Sequence, residues 1–261
     1  MYDLPELQGA NDRLWRATAD RLVDHNVEGV PLTLTRDRPL EELWRDPQLL
    51  LAQSCGYPLV TSLRGAVKIV ATPRYRAPGC VGSFYRSAIV VAVTNPVEGL
   101  AELCGSRCAA NDPISNSGTN LLRAAIAPLA GGRPFFRSVR WSRSHRESLA
   151  LVAGGEADVA AIDCVTFEHL RKAELDLVAA VRVVAWSEAS PGLPLITSVA
   201  TDLPTFESLR AALADIVNDG SVAPALDALL IEGFDPLALD AYESVLELER
   251  RSAALGYPEL A

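Results

Sequence analysis

The sequence predicts an α/β protein with largely parallel sheets. Short apolar, β-branched runs alternate with stretches whose apolar residues recur at helical spacing. Hydrophobic residues make up 49% of 261 residues, enough apolar surface for one large domain or two small lobes. Neither internal repeats nor charge blocks interrupt the alternation.

Taken in order, residues 10–26 carry Leu14, Trp15, Ala19, Leu22 and Val23 at helical spacing. "VPLTLTR" (30–36) alternates like a strand. "PLEELWRDPQLLLAQS" predicts a helix broken at Pro47 and a short strand at 49–52. Strands are expected at 67–75, 83–94 and 107–112, then a helix over 118–129 stopped before Gly131-Gly132. A strand at 136–142 precedes a helix ended by Gly154-Gly155. A strand at 158–165 precedes a short helix at 166–173. Strands at 181–187 and 194–201 follow, and helices over 204–217, 222–231 and 237–254 complete the chain.

A formal charge of −9 argues against nucleic acid and anionic membrane as partners, but local N–H groups can still hold a small anion. No apolar run approaches the roughly 18 residues of a membrane helix. "MYDLPELQGANDRLW" lacks the basic and apolar regions of a signal peptide. The chain as read is therefore expected to be cytoplasmic, or periplasmic if its N-terminus is truncated. Five cysteines without an export signal suggest free thiols.

In parallel α/β sheets ligands sit at the C-terminal ends of strands, which singles out the polar loops after residues 112, 142 and 163. The first, "NDPISNSGTN", places Ser115, Asn116, Ser117, Gly118 and Thr119 where a strand gives way to a helix. The first N–H groups of a helix lack internal partners and carry partial positive charge. Two hydroxyls and a glycine there suit a tetrahedral anion, and the plainer alternative is that Ser115 or Ser117 caps the helix. The second loop repeats the device with Ser144 and His145, and Glu147 completes a capping-box pattern. An imidazolium donor at His145 would strengthen anion binding below pH ~6.5. In the third, Asp163 either caps the next helix at Val165 and Thr166 or binds a ligand group.

The ordered pieces "LLLAQSCGYPL", "GSFYRSAIVV", "CAANDPISNSGTN", "RSHRESLALVAGGEADVAAIDCVTF" and "PGLPLITS" resemble the phosphate, phosphite and phosphonate substrate-binding proteins of ABC importers. The resemblance runs over about 49–200. It implies a two-lobed type II periplasmic-binding-protein fold with two crossover strands, "SAIVVAV" and "PLITSV", and a ligand held between the lobes. Residues 1–91 and 190–261 would form one lobe and 92–189 the other. It further implies that Ser115, Ser117, Gly118 and Thr119 grip the anionic head group, joined by His145, Tyr85 and Asp163. Tyr2, Gln53 and Tyr57 would be offered by the opposite lobe. Arg143 stands where the family's "G-S-H"-like turn has glycine.

The function expected is non-catalytic binding of a small oxyanion or phosphonate-like metabolite, with an ABC-transporter permease as partner and no cofactor or metal. The alternative is an enzyme on the same fold. Cys164, expected to alternate with Asp163 on a strand, reads as a buried structural thiol rather than a nucleophile. Cys104 and Cys108 lack the second pair of ligands that a metal site needs. The amphipathic pattern of 237–254, with Leu239, Tyr242, Val245, Leu246 and Leu248, suits a helix that covers its lobe.

Overall fold

The computed structural model describes residues 2–261, and the chain divides into two compact units. In chain order the first stretch carries α1 (Gln8–Asp24), α2 (Leu40–Trp44), β1 (Ala52–Gln53), α3 (Gly56–Val60) and β2 (Val67–Tyr75). There follow β3 (Phe84–Tyr85), β4 (Ser87–Ala92), β5 (Arg107–Ala110), a π-helical turn at Asn116–Asn120 running into α4 (Leu121–Ala130), and β6 (Ser138–Trp141). Next come α5 (His145–Ala153), β7 (Val159–Asp163), α6 (Cys164–Ala173), α7 (Leu175–Ala179), β8 (Val181–Trp186) and β9 (Ser190–Pro191). The last elements are β10 (Leu195–Ser198), α8 (Leu203–Val217), α9 (Ala223–Ala228), β11 (Ile231–Asp235) and α10 (Leu239–Ala254).

The first unit joins Met1–Arg76 to Gly192–Ala241. Its sheet has the order β1-β10-β2-β11, with every pairing antiparallel. The nine-residue β2 carries its centre. Val70 and Ala71 on that strand pack with Leu22 of α1 and with Leu209, Ala212 and Leu213 of α8. Those α8 positions recur at three and four residues, so one helical stripe meets the sheet.

The second unit joins Ala77–Pro191 to Tyr242–Ala261. Its main sheet runs β6-β5-β7-β4-β8. The three strands that alternate with helices, β6, β5 and β7, are parallel, whereas β4 is antiparallel to both its neighbours. Ile89, Val91, Cys108 and Ala110 of this sheet pack with Leu122 and Ile126 of α4. A separate two-stranded pairing sets Tyr85 opposite Ser190.

Several expectations are corrected. Antiparallel pairings dominate one sheet and flank the other, because connected strands do not all return through a helix. Residues 30–36 form no strand: the Pro31 carbonyl accepts from the Trp15 indole, Arg36 is drawn to Asp3 and Asp12, and Leu32 is left exposed. The strand at 49–52 shrinks to Ala52–Gln53, although the Leu49 carbonyl accepts from Ser198 N–H. The helix expected over 222–231 ends at Ala228, Leu230 turns at φ 61°, and β11 pairs with β2. Cys164 is the first residue of α6, not part of the strand. The unit boundaries also differ from those expected. Residues 77–91 and the chain from Tyr242 onward belong to the second unit, where Tyr257 and Leu260 join the core and the Ala261 carbonyl accepts from Phe135 and Phe136 N–H.

Candidate functional site

In the second unit, β5 delivers the chain into the turn after Ala110, and β6 delivers it into the turn after Trp141. These strands are parallel neighbours, so both helix starts emerge at the same end of the sheet. The turns are tied together: Ser142 N–H donates to the Ala110 carbonyl and Arg143 N–H to the Asn111 carbonyl. Ser117 Oγ then lies 2.9 Å from His145 Nε2, joining the first turn of one helix to the first residue of the other.

Ser115, Asn116, Ser117, Gly118 and Thr119 are all buried. Ser115 is the cap, its Oγ accepting from Gly118 N–H at 3.1 Å. Ser87 Oγ donates to the Ser117 carbonyl at 2.9 Å, fixing the turn to β4. Gly118 is required by a close approach: a Cβ there would stand 1.8 Å from Asn111 Oδ1 and 3.2 Å from His145 Cε1. Asn111 Oδ1 is buried and accepts no hydrogen bond among the described residues.

The abundance of polar side chains in this turn has a structural account that the sequence did not reveal. Arg123 donates to Asn120 Oδ1, Asn120 Nδ2 donates to Asn116 Oδ1, and Asn116 Nδ2 donates to Tyr85 Oη and to Ser190 Oγ. Asn120 Nδ2 also reaches the Val245 carbonyl, and Thr119 Oγ1 donates to the Asp112 carbonyl at 2.6 Å. Asn116 and Thr119 are thus occupied in holding the turn. Tyr85, buried on β3, meets the turn through the Asn116 bond. Ser190, Asn111 and Arg123 were missed: each lies at a different sequence distance, and no local spacing links them.

His145 Nδ1 is buried and forms no hydrogen bond among the described residues. Burial pushes the His145 pKa down to about 4, only partly opposed by the Ala161 backbone. The imidazole is therefore neutral near pH 7, and the charged donor expected below pH ~6.5 is replaced by a neutral ring. Arg143 takes φ 75°, the left-handed region that favours glycine, at the position where the resemblance expected one.

Ser144 accepts from Glu147 N–H at 3.1 Å, which makes it the cap of α5. Asp163 Oδ1 accepts from Val165 and Thr166 N–H, both at 2.9 Å, and caps α6. The capping alternatives stated for these two residues are the ones the geometry displays.

In the first unit, Tyr2 and Gln53 meet on a residue that sequence reading passed over, Tyr75 at the end of β2. The Tyr2 and Tyr75 rings pack edge to face with centroids 5.2 Å apart, and Gln53 Nε2 donates to Tyr75 Oη at 3.0 Å. All three line a cavity of about 980 Å³ whose wall also includes Trp15, Leu49 and Phe234. Tyr57 sits in α3, outside that lining. No group of three His, Cys, Asp or Glu suited to a metal gathers among the described residues. No described helix is long and apolar enough to cross a membrane.

Comparison with known proteins gives the family. The chain matches, over residues 45–242, the family model described as ABC transporter, phosphonate, periplasmic substrate-binding protein. No curated protein matches. Among solved structures, a binding protein component of an ABC phosphonate transporter from Pseudomonas aeruginosa superposes with a TM-score of 0.75 at 17% identity, covering 93% of this chain and 82% of that one. PhnD1 from Prochlorococcus marinus, in complex with methylphosphonate, gives 0.75 at 16% identity over 94% and 93%. XAC2383 from Xanthomonas citri, bound to chloride ion, gives 0.71 at 18% identity over 93% and 91%. These likenesses give the α/β fold of the two-lobed type II periplasmic binding proteins. The chain belongs to the periplasmic substrate-binding protein family of phosphonate ABC transporters.

Proposed function

We propose that this protein binds a small phosphonate or related oxyanion at the paired helix starts of its second unit and releases it chemically unchanged. The observation that carries this reading is the Ser117 Oγ to His145 Nε2 contact. It brings two helix N-termini together, and their N–H groups and dipoles favour one anion. Neutral His145 suits the role: with Nε2–H donating to Ser117 Oγ, the hydroxyl hydrogen is left to reach an oxygen of the ligand. Ser117 is the residue proposed to touch the anion through its hydroxyl, His145 orients that hydroxyl, and Gly118 lets the turn pack closely against Asn111 and His145. Asn116, Thr119, Tyr85, Ser144 and Asp163 hold the frame.

Family membership supports a permease as partner and a periplasmic location. The methylphosphonate bound by PhnD1 makes short alkylphosphonates the first ligands to try. Isothermal calorimetry with methylphosphonate, phosphite, phosphate and sulfate tests the reading. Saturable binding without change in the recovered ligand is expected, and a ligand that stabilises only the folded state also raises the melting temperature.

A second reading, an enzyme on the same fold, has one observation in its favour: a serine and a histidine 2.9 Å apart have the spacing of a nucleophile and its base. No described carboxylate bonds His145 Nδ1, which a nucleophile's base would need as its orienting partner. Cys164, the other nucleophile considered, has its thiol pKa pushed up by the Cys80 sulfur beside it, by burial and by Asp163. Conversion of any of the four anions, or acylation of Ser117 by an activated ester, would favour the enzyme.

A further inference from the structure

Cys80 and Cys164 are 84 residues apart in sequence, yet their sulfurs lie 3.5 Å apart. Both belong to the second unit. Cys80 sits in a turn, its N–H donating to the Ala77 carbonyl, and is partly exposed. Cys164 is buried at the first turn of α6, and its N–H donates to the Arg86 carbonyl. The approach of the two segments is built into the backbone. Gly79 takes φ 101°, and a Cβ on it would lie 2.8 Å from the Trp186 ring and 3.0 Å from Cys164 Cβ. A side chain at position 79 would hold the segments apart.

We infer that Cys80 and Cys164 are a dithiol site that closes to a disulfide when a low-molecular-weight or protein disulfide oxidises it. Closing to the S–S bond length brings the sulfurs together by about 1.5 Å, a change within reach of side-chain rotation. Cys80 is the accessible partner. Its thiolate attacks one sulfur of the external disulfide, forming a mixed disulfide and releasing one thiolate. The Cys164 sulfur then attacks the Cys80 sulfur, gives up its proton and expels the second thiolate, which takes up a proton. In sum, two protein thiols and one external disulfide give one protein disulfide and two external thiols. The bond ties the 77–83 segment to the start of α6, and that segment leads directly into Tyr85.

The test is equilibration of the whole protein in graded ratios of oxidised to reduced glutathione, with iodoacetamide quenching and peptide mapping by mass spectrometry. A cross-linked peptide joining Cys80 to Cys164 is expected to rise with the ratio and to vanish with dithiothreitol, while Cys55, Cys104 and Cys108 stay outside it. In Cys164→Ser protein, Cys80 is expected to stop at the mixed disulfide with glutathione. If that variant does not fold, Cys80→Ser serves instead, and its Cys164 is expected to remain unmodified in the native protein. Wild-type protein that accumulates glutathione on Cys80 while Cys164 stays alkylatable would overturn the inference, as would modification of Cys164 in Cys80→Ser protein.

Discussion

Ser117 Oγ and His145 Nε2 are 2.9 Å apart, and the contact joins the starts of two helices that the chain reaches 28 residues apart. It holds without a charged imidazole, because burial keeps the His145 pKa near 4.

A pH dependence of stability follows. The folded pKa of about 4 lies below the ordinary 6.5, so the unfolded chain takes up the proton first as pH falls. The His145 contribution is fully present above pH ~6.5, declines between about 6.5 and 4, and is flat below. Its size is on the order of 3 kcal/mol. His169, also depressed to about 4 chiefly by burial, adds in the same direction. Urea unfolding at several pH values should show His145→Asn protein losing less stability over this window than wild type. Equal losses would contradict the assignment.

Gly118 is expected to tolerate no side chain while Asn111 is in place. Gly118→Ala should destabilise the protein by roughly 1–3 kcal/mol through overpacking. Adding Asn111→Ala should recover part of that loss, because the two sites share one contact. A denaturant double-mutant cycle reads the coupling, and strict additivity would disprove it.

Asn116 sits in the middle of a relay from Arg123 to Tyr85 and Ser190. Asn116→Ala removes the acceptor of one buried Asn120 N–H and the donor shared by the Tyr85 and Ser190 hydroxyls, and should cost about 2–4 kcal/mol. Chemical denaturation measures it, and a loss under about 1 kcal/mol would mean that water replaces the amide.

Arg143 occupies a left-handed backbone position. Arg143→Gly should stabilise the protein by about 0.5–1 kcal/mol by relieving that conformation. A thermal melt that falls instead would show that the arginine side chain contributes more than the strain removes.

The regular elements were legible where patterning is strong. The nine residues of β2, the α5 helix before Gly154 and the caps at Ser144 and Asp163 all follow from local sequence. Local signals failed where tertiary contacts decide. Residues 30–36 alternate like a strand but pair with no strand among the described residues, and Cys164 begins a helix because Asp163 caps it. At the candidate site the turn itself was visible as a polar cluster. The sequence alone did not separate residues that face a ligand from those that hold the turn, because Asn116 and Thr119 are committed to partners as remote as Ser190 and as near as Asp112.

The central claim is that the paired helix starts bind an anion through Ser117 and His145. Calorimetric titration of methylphosphonate into wild-type, Ser117→Ala and His145→Ala proteins tests it most directly. Loss of one charge-assisted hydrogen bond costs about 1.5–3 kcal/mol, so Ser117→Ala should bind more than tenfold more weakly, and His145→Ala, which removes the donor that orients the Ser117 hydroxyl, should weaken binding in the same direction. Each should still give the wild-type unfolding transition to within about 1–2 kcal/mol. Wild-type affinity for methylphosphonate retained in both variants would contradict the account and place the anion elsewhere.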